Sequence, residues 1–134
     1  MLLGKEFHLP SRAVPISGLM GGVKMFTPQS KIVFVSSPYR GNRFLNLRYA
    51  RRVCKFILSQ YMNVFPFAPH LYLPQFTRNE ELAELLIDQI MNYMDEVWVF
   101  IDRGVSKGMK REIKLARTLN IPVYYFTLGK KRER

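Results

Sequence analysis

A glutamate that could carry out chemistry lies six residues after a serine in the stretch SKGMKREI, residues 106–113. Ser106 is a residue type that caps helix N-termini, and the residues after it follow a helical spacing, so we predict that a helix begins here. Glu112 lies about a turn and a half into that helix, where the helix dipole is expected to keep its carboxylate ionised. An ionised carboxylate can attack the anomeric carbon of a sugar and form a covalent glycosyl-enzyme.

The start of the same helix is also a candidate anion site. The Ser106 hydroxyl and the free backbone N–H groups of Gly108 and Met109 would face a phosphate bound there. Glu112, a turn further on, would then face the sugar attached to that phosphate. The plainer interpretation is that Glu112 forms a surface ion pair, because Arg111 precedes it directly in the sequence.

A second candidate segment is SPYRG, residues 37–41, which follows the apolar run KIVFVS. Ser37, Tyr39 and Arg40 would project over the end of a strand, and Arg40 could hold a phosphate or carboxylate through its planar guanidinium. The alternative is a simple turn in which Arg40 is solvated.

The third candidate segment is APHLYLPQF, residues 68–76, which we interpret as a long aromatic loop. His70 in this loop could contact a substrate or act as a base, although a lone histidine in an apolar context is more often a hydrogen-bonded structural residue. The chain has one cysteine and no clustered carboxylates, so we expect no metal site. It also has no GxGxxG or GxxxxGK[ST] motif, and we expect no cofactor.

Alternating strands and helices must position these residues. We predict an α/β fold, a three-layer sandwich of flavodoxin or Rossmann type around a parallel sheet of about four strands. The predicted strands are residues 31–36, 64–67, 97–100 and 121–126, and helices are predicted to begin near Asn42, Asn79 and Ser106. In such sheets ligands bind at the carboxyl ends of the strands, where the segments SPYRG, APHLYLPQF and IDRGVSKG (residues 101–108) would converge.

Two of these helices have apolar stripes that are expected to face the sheet. On the first helix the stripe is Tyr49, Val53, Phe56, Ile57 and Gln60 or Tyr61. On the second, which we extend to Met94, it is Leu82, Leu85, Leu86, Ile90 and Met94.

The 134 residues fit one domain, which we place at residues 31–127, between a poorly ordered arm (1–30) and a basic tail (128–134). No apolar run is long enough to cross a bilayer, so we expect no membrane partner, and the single cysteine is typical of a cytoplasmic protein. The formal charge of +11 favours an anionic partner. Nucleic acid is one candidate, through the basic residues of the first helix and the tail; in the helix these are Arg43, Arg48, Arg51, Arg52 and Lys55.

The strings SPYRG, APHLYLPQF, DEVWVF and SKGMKREI, in this order and with Asn46 after the first, resemble a family of small phage and bacterial proteins. These proteins have nucleoside 2-deoxyribosyltransferase-like domains of the DUF4406 type. The resemblance covers about residues 31–126. It implies a nucleoside or nucleotide ligand, transferase or N-hydrolase activity and assembly into a homo-oligomer.

The resemblance also assigns roles to particular residues. Enzymes of this type have a loop of form [S/D]-x-G-x-x-x-E whose glutamate is the nucleophile, which implies Glu112 here. Where serine occupies the first position it helps to bind the 5′-phosphate, which implies Ser106. A tyrosine after the first strand positions the glutamate, which implies Tyr39. An upstream aspartate holds the deoxyribose or base, and either Asp88 or Asp95 could be that residue.

Three functions therefore stay open from the sequence. The first is an enzyme that cleaves or transfers at the N-glycosidic bond of a nucleotide, with Glu112 as nucleophile. The second is a nucleotide-binding sensor or sequestering module without turnover. The third is a basic accessory protein that binds nucleic acid. Lys110 and Arg111 depart from the smaller residues that the resembled enzymes keep before the glutamate, which favours a phosphorylated ligand over a neutral nucleoside.

Overall fold

Four parallel strands and the helices that connect them make up the part of the chain that the computed structural model describes, residues 30–129. The strands are β1 (Lys31–Ser36), β2 (Val64–Phe67), β3 (Glu96–Phe100) and β4 (Val123–Phe126). The helices are α1 (Arg43–Gln60), α2 (Pro69–Tyr72), α3 (Glu80–Met91) and α4 (Lys107–Thr118), with a short 3-10 helix at Leu73–Gln75. This arrangement confirms the predicted α/β fold.

The order of the strands in the sheet is β2-β1-β3-β4, and every neighbouring pair is parallel. The connection from β1 runs to β2 on one side of it, and the connection from β3 runs to β4 on the other side. The direction of the connections along the sheet therefore reverses between β1 and β3. Such a switch point opens a crevice at the carboxyl ends of the two strands. Ser36 is paired with Val99 in the register of β1 and β3, which places it at this crevice.

Two apolar layers cover the sheet, as expected for strands without alternating polarity. On one face α1 packs against Val33, Val35 and Trp98. On the other face α3 and α4 pack against Phe34 and Val99. All five residues of β3 are buried, so the central strand is enclosed from both sides and the molecule is a three-layer sandwich.

Each of the three longer helices begins at a side-chain cap. The backbone N–H of Leu45 donates to the side chain of Asn42 (3.1 Å), and that of Leu82 donates to Asn79 (3.0 Å). Ser106 caps α4 in the same way. The three caps satisfy N–H groups that a helix cannot bond internally, and their positions confirm the predicted helix starts.

The predicted loop at residues 68–76 is wrong, because most of it is helical. Pro69 occupies the first turn of α2, and a second proline opens the 3-10 helix that follows. Proline lacks the N–H that would be unbonded in a first turn anyway, and its fixed φ suits a helix start. The two prolines that suggested a loop therefore begin short helices.

The predicted apolar stripe of α3 is also wrong in most of its members. The side chains buried from this helix are Ile87 and Met91, and α3 ends at Met91. Three of the leucines assigned to the stripe are exposed, namely Leu82, Leu85 and Leu86. The stripe of α1 is confirmed, because Tyr49, Val53 and Ile57 are buried and Phe56 packs against them.

A buried ion pair joins the amino ends of β1 and β3. Lys31 Nζ donates a 2.6 Å hydrogen bond to Glu96 Oε2, and the side chains are 0% and 4% exposed. The indole N–H of Trp98 donates to the other oxygen of Glu96 at 2.8 Å. All three polar groups of this cluster are therefore hydrogen-bonded inside the core.

The predicted arm lies outside the described residues except for residue 30, and so does the tail from residue 130 onward. Leu128, assigned to the tail, packs against the α1 face of the core. Within residues 30–129, none of the helices is both long and apolar enough to cross a membrane.

Candidate functional site

The side chain of Glu112 lies in the layer between α4 and the carboxyl end of β1. The Ser36 hydroxyl donates a 2.6 Å hydrogen bond to Glu112 Oε1. Glu112 is 3% exposed and Ser36 is fully buried. A carboxyl group from α4 and the last residue of β1 therefore meet at the switch point of the sheet, where α/β proteins bind ligands.

Burial raises the pKa of Glu112 to about 8, because a charged carboxylate loses its hydration inside the protein. The hydrogen bond from Ser36 and the charge of Arg111 act in the opposite direction, and burial outweighs both. The expectation that Glu112 stays ionised is therefore wrong for the unliganded protein at neutral pH. The surface ion pair is wrong as well, because Arg111 binds Asp88 and Glu112 is buried.

The residue after Ser36 contributes an unsatisfied polar group. Ser37 is 1% exposed, and its hydroxyl has no hydrogen-bond partner among the described residues. Buried hydroxyl groups nearly always have a partner, and leaving one without a partner costs about 1–3 kcal/mol. Ser37 directly follows the last residue of β1, so a ligand at the carboxyl edge of the sheet could supply the missing hydrogen bond.

Tyr39 and His70 bring the segments SPYRG and APHLYLPQF together. Their rings stack with centroids 4.7 Å apart and an angle of 16° between the planes. Burial lowers the pKa of His70 to about 4, so its imidazole is neutral at physiological pH. Glu112 accepts its hydrogen bond from Ser36, and among the described residues no hydrogen bond joins it to Tyr39.

Asn46 joins SPYRG to the segment IDRGVSKG, residues 101–108, which follows β3. Its side-chain N–H groups donate to the carbonyl oxygens of Tyr39 (3.2 Å) and Arg40 (2.9 Å). Its oxygen accepts a 2.9 Å hydrogen bond from Arg103 Nε, which follows β3. The predicted convergence of the three segments at one edge of the sheet is thus confirmed, through a ring stack on one side and Asn46 on the other.

The start of α4 differs from the expected anion pocket. The N–H of Met109 donates to Ser106 Oγ at 3.2 Å, and the Ser106 N–H donates to Met109 Sδ at 3.4 Å. Met109 is 1% exposed and packs in the core, so neither its N–H nor its side chain is free for a ligand. A Cβ on Gly108 would meet only Ser106 Oγ, at 3.9 Å, so space does not require glycine there.

Two of the other candidate residues form ion pairs with neighbouring helices. Arg40 is paired with Glu80 at the start of α3, and both side chains are mostly exposed. Asp88 on α3 accepts two hydrogen bonds from Arg111 Nη2, at 2.6 and 2.7 Å. A ligand that binds Arg40 or Asp88 would have to compete with Glu80 or Arg111 for that side chain.

Asp95 lies at the wrong edge of the sheet for a substrate-binding role. It precedes β3 and accepts a 2.8 Å hydrogen bond from the backbone N–H of Ile32, near the beginning of β1. The amino ends of parallel strands lie opposite the carboxyl ends, where Ser36 and Glu112 meet. Of the two aspartates left open by the resemblance, Asp88 alone remains a candidate.

Two features of this edge were missed from the sequence. Ser36 was assigned only to a strand, although a polar residue at the end of an apolar run in a parallel sheet is a signal for the binding edge. Asp102 and Arg103 follow β3 and were not singled out either. Asp102 accepts hydrogen bonds from the Tyr49 hydroxyl and from the backbone N–H of Leu128 (3.0 Å).

Comparison with solved structures identifies a protein of similar fold. It is similar to the solved structure of a 2-deoxyribosyltransferase from the psychrotolerant bacterium Bacillus psychrosaccharolyticus, with a TM-score of 0.56 and 16% sequence identity. The match covers 77% of this chain and 77% of that chain, and at this identity it establishes likeness of fold. A search of curated proteins found no match. The narrower DUF4406 assignment stays a prediction. Residues 31–126 match the model of a different family, a domain of unknown function named DUF7768. The chain therefore belongs to the DUF7768 family.

Proposed function

We propose that this protein binds a nucleoside or nucleotide at the carboxyl edge of its sheet and cleaves or transfers at the N-glycosidic bond, with Glu112 as nucleophile. The observation that carries the proposal is the buried Glu112 carboxyl, which accepts a hydrogen bond from Ser36 at the carboxyl end of β1. The likeness of fold to a 2-deoxyribosyltransferase supports the substrate class.

In the proposed reaction, ionised Glu112 attacks the anomeric carbon and forms an ester bond to the sugar. The bond from that carbon to the base nitrogen breaks, and the base leaves with the electron pair and takes up a proton from solvent. A second nucleophile then attacks the same carbon and releases the Glu112 carboxylate. Water as this nucleophile gives hydrolysis, and a second base gives transfer.

The raised pKa of Glu112 has a role in this scheme. The neutral acid of the unliganded site must lose its proton before attack, and the resulting carboxylate is poorly hydrated and therefore reactive. Positive charge that develops on the sugar ring stabilises that carboxylate as the transition state forms. The Ser36 hydroxyl stabilises the same ionised form through its hydrogen bond to Oε1.

The test is incubation with a panel of deoxyribonucleosides and deoxynucleoside monophosphates, followed by chromatography for released base and mass spectrometry of the protein. We expect base release and a sugar adduct on the peptide that contains Glu112. Glu112→Gln keeps an oxygen that can accept from Ser36 and removes the nucleophile, so it should abolish both signals. Glu84→Gln makes the same change at an exposed position and serves as the matched control. Base release that survives in Glu112→Gln would contradict the proposed nucleophile.

A second candidate function is nucleotide binding without turnover, and the pKa of about 8 favours it. A carboxyl group that is protonated at neutral pH can donate a hydrogen bond to a ligand and is a weak nucleophile. This function predicts that nucleotides raise the melting temperature of both the parent and Glu112→Gln while neither releases base. Turnover by the parent would exclude it.

A further inference from the structure

A second pocket lies on the opposite face of the sheet from Glu112. It has a volume of about 350 Å³ and lies between α1 and the segments that follow β3 and β4. Leu45 and Leu128 contribute apolar walls, and Tyr49 contributes its ring. The volume is at the lower end of the range for small-molecule sites, so the pocket suits a compact ligand.

The pocket is lined by more basic than acidic residues. It is lined by three basic residues, Arg48, Arg52 and Arg103, and by one acidic residue, Asp102. None of the three arginines forms an ion pair within residues 30–129. Asp102 accepts hydrogen bonds from two neutral groups, the Tyr49 hydroxyl and the Leu128 N–H. With three arginines and one aspartate, the lining of the cavity has an excess of positive charge.

Neighbouring groups constrain these arginines. Arg103 donates from Nε to Asn46, which fixes the guanidinium plane and leaves its two terminal nitrogens for other partners. The guanidinium of Arg48 lies 5.9 Å from the centre of the Phe44 ring. Arg52 is close enough to Tyr49 for its charge to lower the pKa of that hydroxyl, against a larger upward shift from burial. Arg48, Arg52 and Arg103 therefore line the pocket, and the Arg103 guanidinium is held by a hydrogen bond.

We propose that this pocket binds the phosphate groups of a phosphorylated ligand through Arg48, Arg52 and Arg103. Guanidinium groups donate paired hydrogen bonds in the geometry that phosphate oxygens accept, and arginine is preferred over lysine for this reason. This site is separate from the Glu112 site and does not depend on the proposed reaction.

Two sources could supply the phosphate, a free nucleotide with a phosphate chain or the backbone of a nucleic acid strand. The surface of α1 outside the pocket continues the positive charge with exposed Arg51 and Lys55. The helix contains no acidic residue. A single-stranded nucleic acid would use both the pocket and this outer surface, whereas a free phosphate chain would use the pocket alone.

The experiment is isothermal titration calorimetry of the full chain with inorganic pyrophosphate and with an oligothymidylate of about ten nucleotides, a length within the span of single-strand sites. The pocket variant is Arg48→Gln/Arg52→Gln. The matched control is Arg51→Gln/Lys55→Gln, which removes the same charge from the same helix outside the pocket. Arg52→Lys keeps the charge and removes the planar fork.

We expect the pocket variant to weaken pyrophosphate binding at least about tenfold, because it removes two charged hydrogen-bond donors. The control should weaken it less than about threefold, and Arg52→Lys should fall between the two. Pocket-dependent binding of the oligonucleotide but not of pyrophosphate would support the proposal with nucleic acid as the source. Equal losses in pocket and control variants, or no binding of either probe by the parent, would overturn it. Pyrophosphate has no N-glycosidic bond, so failure here is distinct from failure of the proposed reaction.

Discussion

The Ser36 hydroxyl donates a 2.6 Å hydrogen bond to Glu112 Oε1 across the layer between β1 and α4, although the two residues are 76 positions apart in the sequence. Both side chains are buried, so this bond is shielded from competing water. The position of the carboxyl group is therefore set by the sheet as well as by its own helix. A substitution of Ser36 should therefore change the chemistry of the Glu112 carboxyl although Glu112 itself is not substituted.

Replacing Glu112 by glutamine should stabilise the protein, and more so as the pH rises. The pKa of Glu112 is raised to about 8 in the folded state from an ordinary value of 4.5, so between these values the folded state binds the extra proton. Stability that is present below about pH 4.5 is thus lost as the pH rises towards 8, by up to about 1.4 kcal/mol per unit. Glutamine does not titrate, so the Glu112→Gln variant does not lose this stability as the pH rises.

Urea unfolding of the parent and of Glu112→Gln at several pH values measures this difference. The gap in the free energy of unfolding should widen from about pH 5 to about pH 8 and then level off. The exposed Glu84→Gln should show no such trend. A gap that does not change with pH would mean that Glu112 is ionised in the folded protein.

Ser36→Ala and Ser37→Ala should differ in stability although they are neighbours and both buried. Ser36→Ala removes a buried hydrogen bond and should cost about 1–3 kcal/mol, and it should raise the pKa of Glu112 further because that bond lowers it. Ser37→Ala removes a hydroxyl without a partner among the described residues and should leave stability unchanged or slightly higher.

Chemical denaturation and nucleotide binding together check this pair. If the Ser37 hydroxyl contacts a ligand, Ser37→Ala should lower ligand affinity while stability is retained. A loss of stability in Ser37→Ala as large as that in Ser36→Ala would show that the Ser37 hydroxyl has a partner in solution.

His70→Phe should protect the protein against mild acid. Burial lowers the pKa of His70 from 6.5 to about 4, so between these values the unfolded chain binds a proton that the folded protein does not. Stability is therefore lost as the pH falls from about 6.5 to about 4. Phenylalanine keeps a ring to stack on Tyr39 and removes this loss.

Thermal unfolding of parent and His70→Phe across this range is the measurement. The difference in melting temperature should grow as the pH falls below 6.5 and should be small at neutral pH. Equal acid sensitivity of the two proteins would indicate that His70 is hydrated in solution.

Lys31→Met should destabilise the protein by about 3–5 kcal/mol, because it leaves the Glu96 carboxylate buried without its cation. Adding Glu96→Gln should recover part of this loss, since a neutral amide can still accept from Trp98 without carrying a charge. The free energies of unfolding of the single and double variants, compared as a double-mutant cycle, test this. A double variant less stable than Lys31→Met would contradict it.

The strands and the helix starts could be predicted from the sequence because their signals are local. Capping asparagines and serine, and apolar runs without alternation, fixed most boundaries within two or three residues. The stripe of α3 could not be predicted, because Leu82, Leu85 and Leu86 and the pair Ile87 and Met91 both fit a helical period. Packing against the sheet selected the second set.

The site was predictable in location and less so in chemistry. Carboxyl ends of parallel strands lie at one edge, so the convergence around Tyr39, His70 and Arg103 follows from topology. The ionisation of Glu112 depends on its depth below the surface, which spacing along a helix does not show. Its partner Ser36 could be found only once β1 and α4 were placed against each other.

Trp98 is the chain's single tryptophan, and its surroundings make it an optical reporter. Its ring stacks on Phe126 of β4 at 4.4 Å and meets the edge of Tyr61 at 5.3 Å, while its indole N–H is bonded to Glu96. Fluorescence emission from this one ring therefore comes from a dry position at which β3, β4 and the end of α1 meet. A red shift of that emission would mark water reaching the centre of the sheet, without any label having been attached.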